Sequence, residues 1–301
     1  MSTSTEIPIT LAARNRRKGL LYLMVMAVGW GLNWPAMKFL LSEFPPMTMR
    51  CLSGFLAAAC AIAVARRRGE NLRPPRSQYG PLALFTALNF TAWMGLITVA
   101  LLWLPASEAA IIAYTLPIWA VLMAWPILGE TPTPIRLVAL ALGFGGVAIL
   151  FAGQPIATSA AQWPGIVCVL AASILFALGS VLSKRRPLAM PPFAAIGWQV
   201  GLGTLPLLIL ALATETPDWQ QVTPLGWAGI VWLATVPVIV AYAAWFQALQ
   251  LVPASTAAIS MLLVPVIGVF TSAIWLGEPL GIRQLAALAL TVAGVSLASR
   301  T

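Results

Sequence analysis

The chain has 301 residues, of which 60% are apolar and 8% charged, and its mean hydropathy is +0.91. A soluble domain keeps its surface wet with roughly a quarter of its residues charged, so this composition excludes a water-soluble fold and makes lipid the main solvent. The net charge of +9 would suggest a nucleic-acid partner in a soluble protein, but here the basic residues sit in short segments between apolar runs, where they report membrane orientation.

The absences narrow the chemistry. There is no histidine, and the three cysteines, Cys51, Cys60 and Cys168, all lie inside apolar runs. No metal site, cofactor site or disulfide framework can be drawn from them. No glycine-rich phosphate loop with its Lys-Ser/Thr ending occurs, so no ATPase is expected within the chain.

Taken from the start, Arg14, Arg16, Arg17 and Lys18 precede an apolar run from Gly19 to Leu41. That run is longer than a signal-peptide core and no small-residue cleavage site follows it, so it reads as a first permanent span after a cytoplasmic tail, residues 1–18. A crossing needs about 20 apolar residues. Charged and proline-rich punctuation then predicts spans at 19–41, 46–65, 79–101, 105–127, 134–152, 163–183, 192–213, 224–246, 254–277 and 281–299. The runs are continuous, not alternating, which excludes a membrane β-barrel. With the N-terminus cytoplasmic, 14 of the 17 basic residues fall on the cytoplasmic side and only Lys38, Arg50 and Arg283 on the other. That asymmetry predicts ten spans with both termini cytoplasmic.

Residues 104–150 and 252–298 align without a gap at an offset of 148, with 18 identities in 47 positions. Pro105-Ala106-Ser107 matches Pro253-Ala254-Ser255, Pro117 matches Pro265, and Gly129-Glu130 matches Gly277-Glu278. The chain therefore divides into two five-helix repeats, 19–152 and 153–301. An odd number of helices per repeat forces the second to enter from the opposite face. The expected fold is an all-α membrane protein of two inverted repeats, an architecture of secondary transporters that bind substrate near the midplane.

Several of these landmarks carry a family resemblance: Trp30-Gly31 with Lys38, Pro46 and Arg50, the run Ala106-Ser107…Pro117…Leu128-Gly129-Glu130, and its copy ending Leu276-Gly277-Glu278. The pattern resembles the EamA-type members of the drug/metabolite transporter superfamily, and among them the aromatic amino acid exporters. The resemblance implies a ten-helix exporter of amino acids or other metabolites.

Polar and kinking residues deep in the spans locate a site. Pro117 and Pro265 stand at equivalent mid-span positions, where a proline frees a carbonyl that lipid cannot satisfy, and read as paired hinges. Pro237 is a third hinge candidate, its repeat equivalent Asn89 being polar and not kinked. Trp30, Asn33, Trp34, Asn89, Trp93, Tyr114, Thr115, Ser180, Tyr242, Trp245 and Ser260 are the candidate substrate contacts. Asn89 and Trp93, four apart, are expected on one helix face. Amides and hydroxyls among indole rings suit an amphipathic solute with an ammonium, a carboxylate and an apolar side chain. Each Asn or Ser reads equally well as an interhelical hydrogen bond.

Lys38, Arg50 and Glu108 map to the outer third, as an outer-gate charge cluster, an anchor for a substrate carboxylate, or, for Lys38, a side chain snorkelling to headgroups. Glu108 is the candidate for proton coupling, with uncoupled movement an equal alternative. Glu130 and Glu278 end their helices, where a negative charge opposes the dipole; Arg136 or Arg283 is the expected partner. Small residues at Ala139 and Gly143 in span five, and at Ala289 and Ala293 in span ten, suit close approach by a neighbouring helix, and these two spans are expected to buttress the bundle or contact lipid.

The expected function is export of small amphipathic metabolites across the inner membrane by alternating access, with no catalytic or metal residues. Amino acids, aromatic ones first, are the expected small-molecule partners. A monomer in the lipid bilayer is expected, with a homodimer left open and no nucleic acid. The rivals are export of other metabolites or drugs, a channel, an intramembrane enzyme and a membrane assembly subunit.

Overall fold

A computed structural model describes residues 6–129, 133–151, 156–252 and 260–298, and among them every regular element is helical. Ten helical segments follow one another. The first comprises α1 (Glu6–Gly31) and α2 (Asn33–Leu40); the second is α3 (Pro46–Arg67). The third joins α4 (Tyr79–Thr86), a π turn (Ala87–Thr91) and α5 (Ala92–Ala100), and the fourth joins α6 (Ala106–Ala113) to α7 (Leu116–Leu128). The fifth to seventh are α8 (Pro134–Phe151), α9 (Ile156–Arg185) and α10 (Pro192–Thr214). The eighth joins α11 (Pro224–Thr235), a π turn (Val236–Val240) and α12 (Ala241–Leu251). The ninth contains α13 (Leu263–Leu276) and the tenth α14 (Ile282–Ala298). Seven segments are long and apolar enough to cross a membrane; the fifth, ninth and tenth are shorter apolar helices within the described residues.

The outside of this bundle is apolar. Leu212 is 78% exposed and Ile274 84%, a surface that water would penalise and hydrocarbon accepts. Helix starts follow local chemistry: α3, α10 and α11 each begin with Pro in the first turn, where its missing N–H costs nothing. Gly129 and Gly277, repeat-mates, end α7 and α13 in the left-handed conformation, φ 76° and 67°, which glycine adopts without strain.

Packing joins the halves. The second segment lies against the seventh, the fifth against the tenth, the fourth against the ninth. The first packs on the eighth as the sixth packs on the third. Exchanging the halves maps this set of pairs onto itself. The fifth and tenth close tightly at Gly146, where a Cβ would lie 2.6 Å from Thr291 Oγ1. The first and ninth cross at Gly31, where a Cβ would lie 2.6 Å from Ile267 Cγ2.

Both halves are interrupted at matching places. The fourth segment breaks at Tyr114–Thr115 and the ninth turns at Leu262, each followed by its proline, Pro117 or Pro265. The π turns of the third and eighth segments also match. Pro237 and Asn89 both lie inside them, which corrects the expectation that only Pro237 marks an irregular helix. A π turn adds a residue to the helix; across it Asn89 and Trp93 both meet the sixth segment, Asn89 beside Gly179 and Trp93 against Phe176.

Candidate functional site

A cavity of about 370 Å³ lies where the interrupted segments meet, within the size range of small-molecule sites. It is lined by Trp30, Asn33, Trp34, Trp93, Tyr114 and Tyr242 from the predicted set, and by hinge residue Pro117. Ala113, Leu116, Val121, Phe176, Met261 and Leu262 complete the wall. No lining side chain is charged.

Two aromatic pairs form its opposite sides. Trp30 meets Tyr242 edge-on at 5.3 Å between centroids, and Trp93 tilts against Phe176 at 5.0 Å. The first pair joins the first and eighth segments, the second the third and sixth, so exchange of the halves turns one into the other. The Trp30 indole N–H donates to the Pro237 carbonyl at 2.9 Å, fixing the ring with a π-turn oxygen. The Asn33 amide nitrogen reaches Met37 Sδ at 3.6 Å, and its amide oxygen is buried with no hydrogen-bond partner among the described residues.

The remaining predicted contacts lie elsewhere. Thr115 is fully buried; its hydroxyl donates to the Ile112 carbonyl and accepts from the Trp119 indole. Ser180 donates within its own helix to the Phe176 carbonyl. Asn89, whose buried Oδ1 has no partner among the described residues, packs beside Gly179 of the sixth segment. Trp245 tilts against Trp30 at 6.2 Å between ring centroids. Ser260 is not among the lining residues. The carbonyl that Pro117 frees, that of Ala113, accepts from the Ser173 hydroxyl of the sixth segment at 3.3 Å. Pro265 is buried in the first turn of α13.

Phe176, Val121 and Met261 are lining residues that the sequence does not announce, because an apolar side chain in an apolar helix carries no local signal.

The cavity ends are unlike. Toward the end that carries Glu43, Glu215 and Glu278, all eight residues of α6 are buried, with Met37, Leu40, Leu101 and Leu104 packed beside them. Toward the other, arginine-rich end, only Ile118 and Ala124 of the thirteen residues of α7 are buried.

The charged candidates do not pair with one another. Among the described residues the ion pair is Arg68–Glu70, at 3.7 Å. Lys38 neither snorkels nor meets a carboxylate; its ammonium donates to the carbonyls of Leu101 and, at 3.0 Å, Leu104. Buried Arg50 donates to Thr98 Oγ1 and contacts Met37 Sδ. Glu108 is 3% exposed, and its Oε2 has no partner among the described residues. Glu278 does not turn to Arg283. It accepts from the backbone N–H of Ala106 at 2.6 Å, that of Ser107 at 2.9 Å, and the Ser107 hydroxyl at 2.5 Å. The positive partner is a helix N-terminus, whose free N–H groups attract an anion as an arginine would. Glu130 lies outside the described residues.

Comparison with known proteins agrees in kind. The uncharacterized transporter YvbV of Bacillus subtilis is 28% identical over 281 residues, 92% of this chain and 90% of its own. A probable amino-acid metabolite efflux pump of Salmonella typhimurium is 29% identical over 300 residues, 93% of this chain and 94% of its own. A probable terminal-alkyne amino-acid exporter of Streptantibioticus cattleyicolor is 26% identical, covering 94% of each chain. One solved crystal structure shares the fold over 95% of this chain and 97% of its own, at TM-score 0.65 and 20% identity. The model of the EamA-like transporter family matches twice, at residues 17–152 and 163–300, and the chain belongs to that family: a multi-pass membrane transporter and not an enzyme.

Proposed function

We propose that this transporter exports small amphipathic metabolites across the inner membrane, amino acids foremost and aromatic ones favoured, by alternating access. In this reading ten spans form two inverted repeats, 19–152 and 153–301, with both termini cytoplasmic. The arginine-rich end faces inward, and the chain works as a monomer. The observation that carries it is the uncharged, aromatic-walled cavity at the crossing of the interrupted helices, with the fully buried α6 to one side and the mostly unburied α7 to the other.

The chemistry follows from the lining. Indole faces at Trp30, Trp34 and Trp93 attract an ammonium by its charge on their π-clouds and stack on an apolar or aromatic side chain. The unpartnered Asn33 oxygen and the hydroxyls of Tyr114 and Tyr242 offer polar contacts in a site otherwise free of charge. A lining without charge suits a net-neutral zwitterion and penalises an ion, whose desolvation no lining charge offsets. The names of the efflux-pump and exporter relatives support the amino acid class. If movement is proton-coupled, Glu108 is the carboxylate placed to carry it.

The test is exchange in proteoliposomes preloaded with labelled phenylalanine, tryptophan, leucine or glutamate. Saturable exchange of the aromatic pair, with glutamate excluded, is expected. Absence of saturable exchange for every amino acid removes the amino acid reading.

A further inference from the structure

A second cavity, a groove of about 430 Å³, lies at the arginine-rich end between the third and sixth segments. Pro81, Leu84 and Phe85 of α4 and Leu182 of α9 give it an apolar floor, and Arg185 and Arg186 line its end, just past the apolar run of the sixth segment. Leu84 is 46% exposed whereas Leu82 and Thr86 of the same helix are buried, so the groove opens on the side of α4 that lipid covers. Beside it, Gln78 Oε1 accepts from the Ala189 N–H at 3.1 Å, joining the turn before α4 to the one after α9.

The matching place in the other repeat is filled. Gly80 and Gly229 stand equally far ahead of the π turns that begin at Ala87 and Val236. A Cβ at Gly229 would lie 2.8 Å from Leu40 Cδ2, so the first segment closes on the eighth; a Cβ at Gly80, in the groove, would meet nothing within 4 Å. The charge differs as well. Glu43 attends the filled place, its Oε2 2.6 Å from where a Cβ of Gly226 would stand, and the open place has two guanidiniums instead. Among the described residues neither meets a carboxylate, the ion pair being Arg68–Glu70, and Arg185 makes one long contact of 3.5 Å with the Ile127 carbonyl. Each guanidinium carries five N–H donors, which leaves the pair able to take an anion.

We propose that this groove binds an anionic phospholipid, with its phosphate on Arg185 and Arg186 and an acyl chain along Pro81, Leu84, Phe85 and Leu182. The combination selects the occupant. An apolar floor open to hydrocarbon suits a chain, and basic residues at a helix end stand at the depth of headgroups. A free phosphate has less to hold it, because exposed charge pairs are weak in water and the floor offers no polar side chain. A phospholipid is already kept at this depth by the bilayer. Its leaflet rests on the orientation proposed above, which makes it the cytoplasmic one, where anionic lipid gives the surface its negative potential. A lipid bound here braces the third segment against the sixth, the two that carry Trp93 and Phe176 in the cavity wall.

The probe is dioleoyl phosphatidylglycerol, with phosphatidylcholine of the same chains as the neutral reference, each titrated onto delipidated protein in detergent and counted by native mass spectrometry. The first phosphatidylglycerol is expected to bind about tenfold more tightly than phosphatidylcholine. Arg185→Gln with Arg186→Gln is expected to remove that preference. Arg66→Gln with Arg67→Gln, which takes the same charge from the last turn of α3, is expected to keep it. Gly80→Leu fills the groove with both arginines in place and is expected to weaken phosphatidylglycerol about tenfold. No preference in the parent, equal losses in the two arginine pairs, or parental binding by Gly80→Leu overturns the site. Displacement of the lipid by inorganic phosphate overturns the lipid as occupant. Detergent exposes both ends of the protein, so these results do not depend on orientation. Orientation is read separately in intact cells, in a chain with Cys51, Cys60 and Cys168 replaced by alanine. Ser77→Cys, exposed just before α4, is expected to resist a membrane-impermeant maleimide applied from outside. Labelling there overturns the orientation and the assigned leaflet, and the binding measurements still judge the groove.

Discussion

The two ends of the fourth span are built from one chain and behave as different materials. At the end that carries Glu43, Glu215 and Glu278 every residue of α6 is buried, and the corner before it is held by Lys38 and Glu278. At the arginine-rich end α7 buries Ile118 and Ala124, and Leu116, Pro117 and Val121 line the cavity. Composition does not explain the contrast, because the Pro-Ala-Ser and Gly-Glu landmarks occur at both ends of the repeat pair. What differs is which contacts are made. The proposed alternating access reads this contrast as one of two arrangements that the repeated landmarks allow.

The comparison breaks most severely at its fulcrum. At Gly31 even a Cβ would lie 2.6 Å from Ile267 Cγ2 and 3.2 Å from the Val264 carbonyl. Gly31→Leu is expected to force the first and ninth spans apart and to cost about 3 kcal/mol, the upper range for overpacking. A fall in the midpoint of thermal unfolding in detergent checks it; an unchanged midpoint contradicts the close crossing.

The next effect belongs to the closed end. Lys38→Met removes a charged donor from two carbonyls at the end of α5 and leaves them without it, at about 2 kcal/mol. A fall in the midpoint of thermal unfolding in detergent is expected. A variant with the parental midpoint shows that the lysine holds nothing at this corner.

Much of the fold is readable from residues alone. Apolar length and basic punctuation are local properties that survive without any tertiary knowledge, so the helical segments and their order are legible. The repeat is legible because Pro, Gly and Glu recur at one offset where lipid-facing positions drift. The π turns are not. Ala87–Thr91 contains neither proline nor glycine, so nothing in its residue types marks the irregularity. The partner of Glu278 is hidden for a related reason: it lies 172 residues away and its positive charge belongs to the backbone, so no residue type announces it. Trp103, Trp125 and Trp163 lie exposed on the outside of the bundle, so an aromatic residue does not by itself announce the cavity, although five of the six predicted contacts that line it are aromatic. Thr115 and Ser180 do not line it, because a hydroxyl satisfies itself on its own helix.

The open end is sharpened by the cavity walls. Trp93→Ala removes one face of the pair with Phe176 and is expected to lower exchange of phenylalanine about tenfold through a raised half-saturation constant, about 1.4 kcal/mol. Leucine exchange should fall less. Equal losses for both would remove aromatic stacking as the basis of preference.

The smallest effect tests the hinge. Pro117 has no N–H for the Ala113 carbonyl, and Ser173 supplies a hydroxyl donor from the sixth span at 3.3 Å. Ser173 also donates to Val169 of its own helix at 2.8 Å, so the bond across to the hinge is the longer of a shared pair. Ser173→Ala is therefore expected to cost about 0.6 kcal/mol, the average for an interhelical hydrogen bond in a membrane, as a slight drop in unfolding midpoint. Its value lies in the paired variant Ser173→Ala with Pro117→Ala. Alanine at 117 restores an N–H able to reach the Ala113 carbonyl, so the serine becomes redundant and its removal should then cost nothing. If both backgrounds lose the same stability, the hydroxyl serves its own helix and the hinge carbonyl is satisfied in another way.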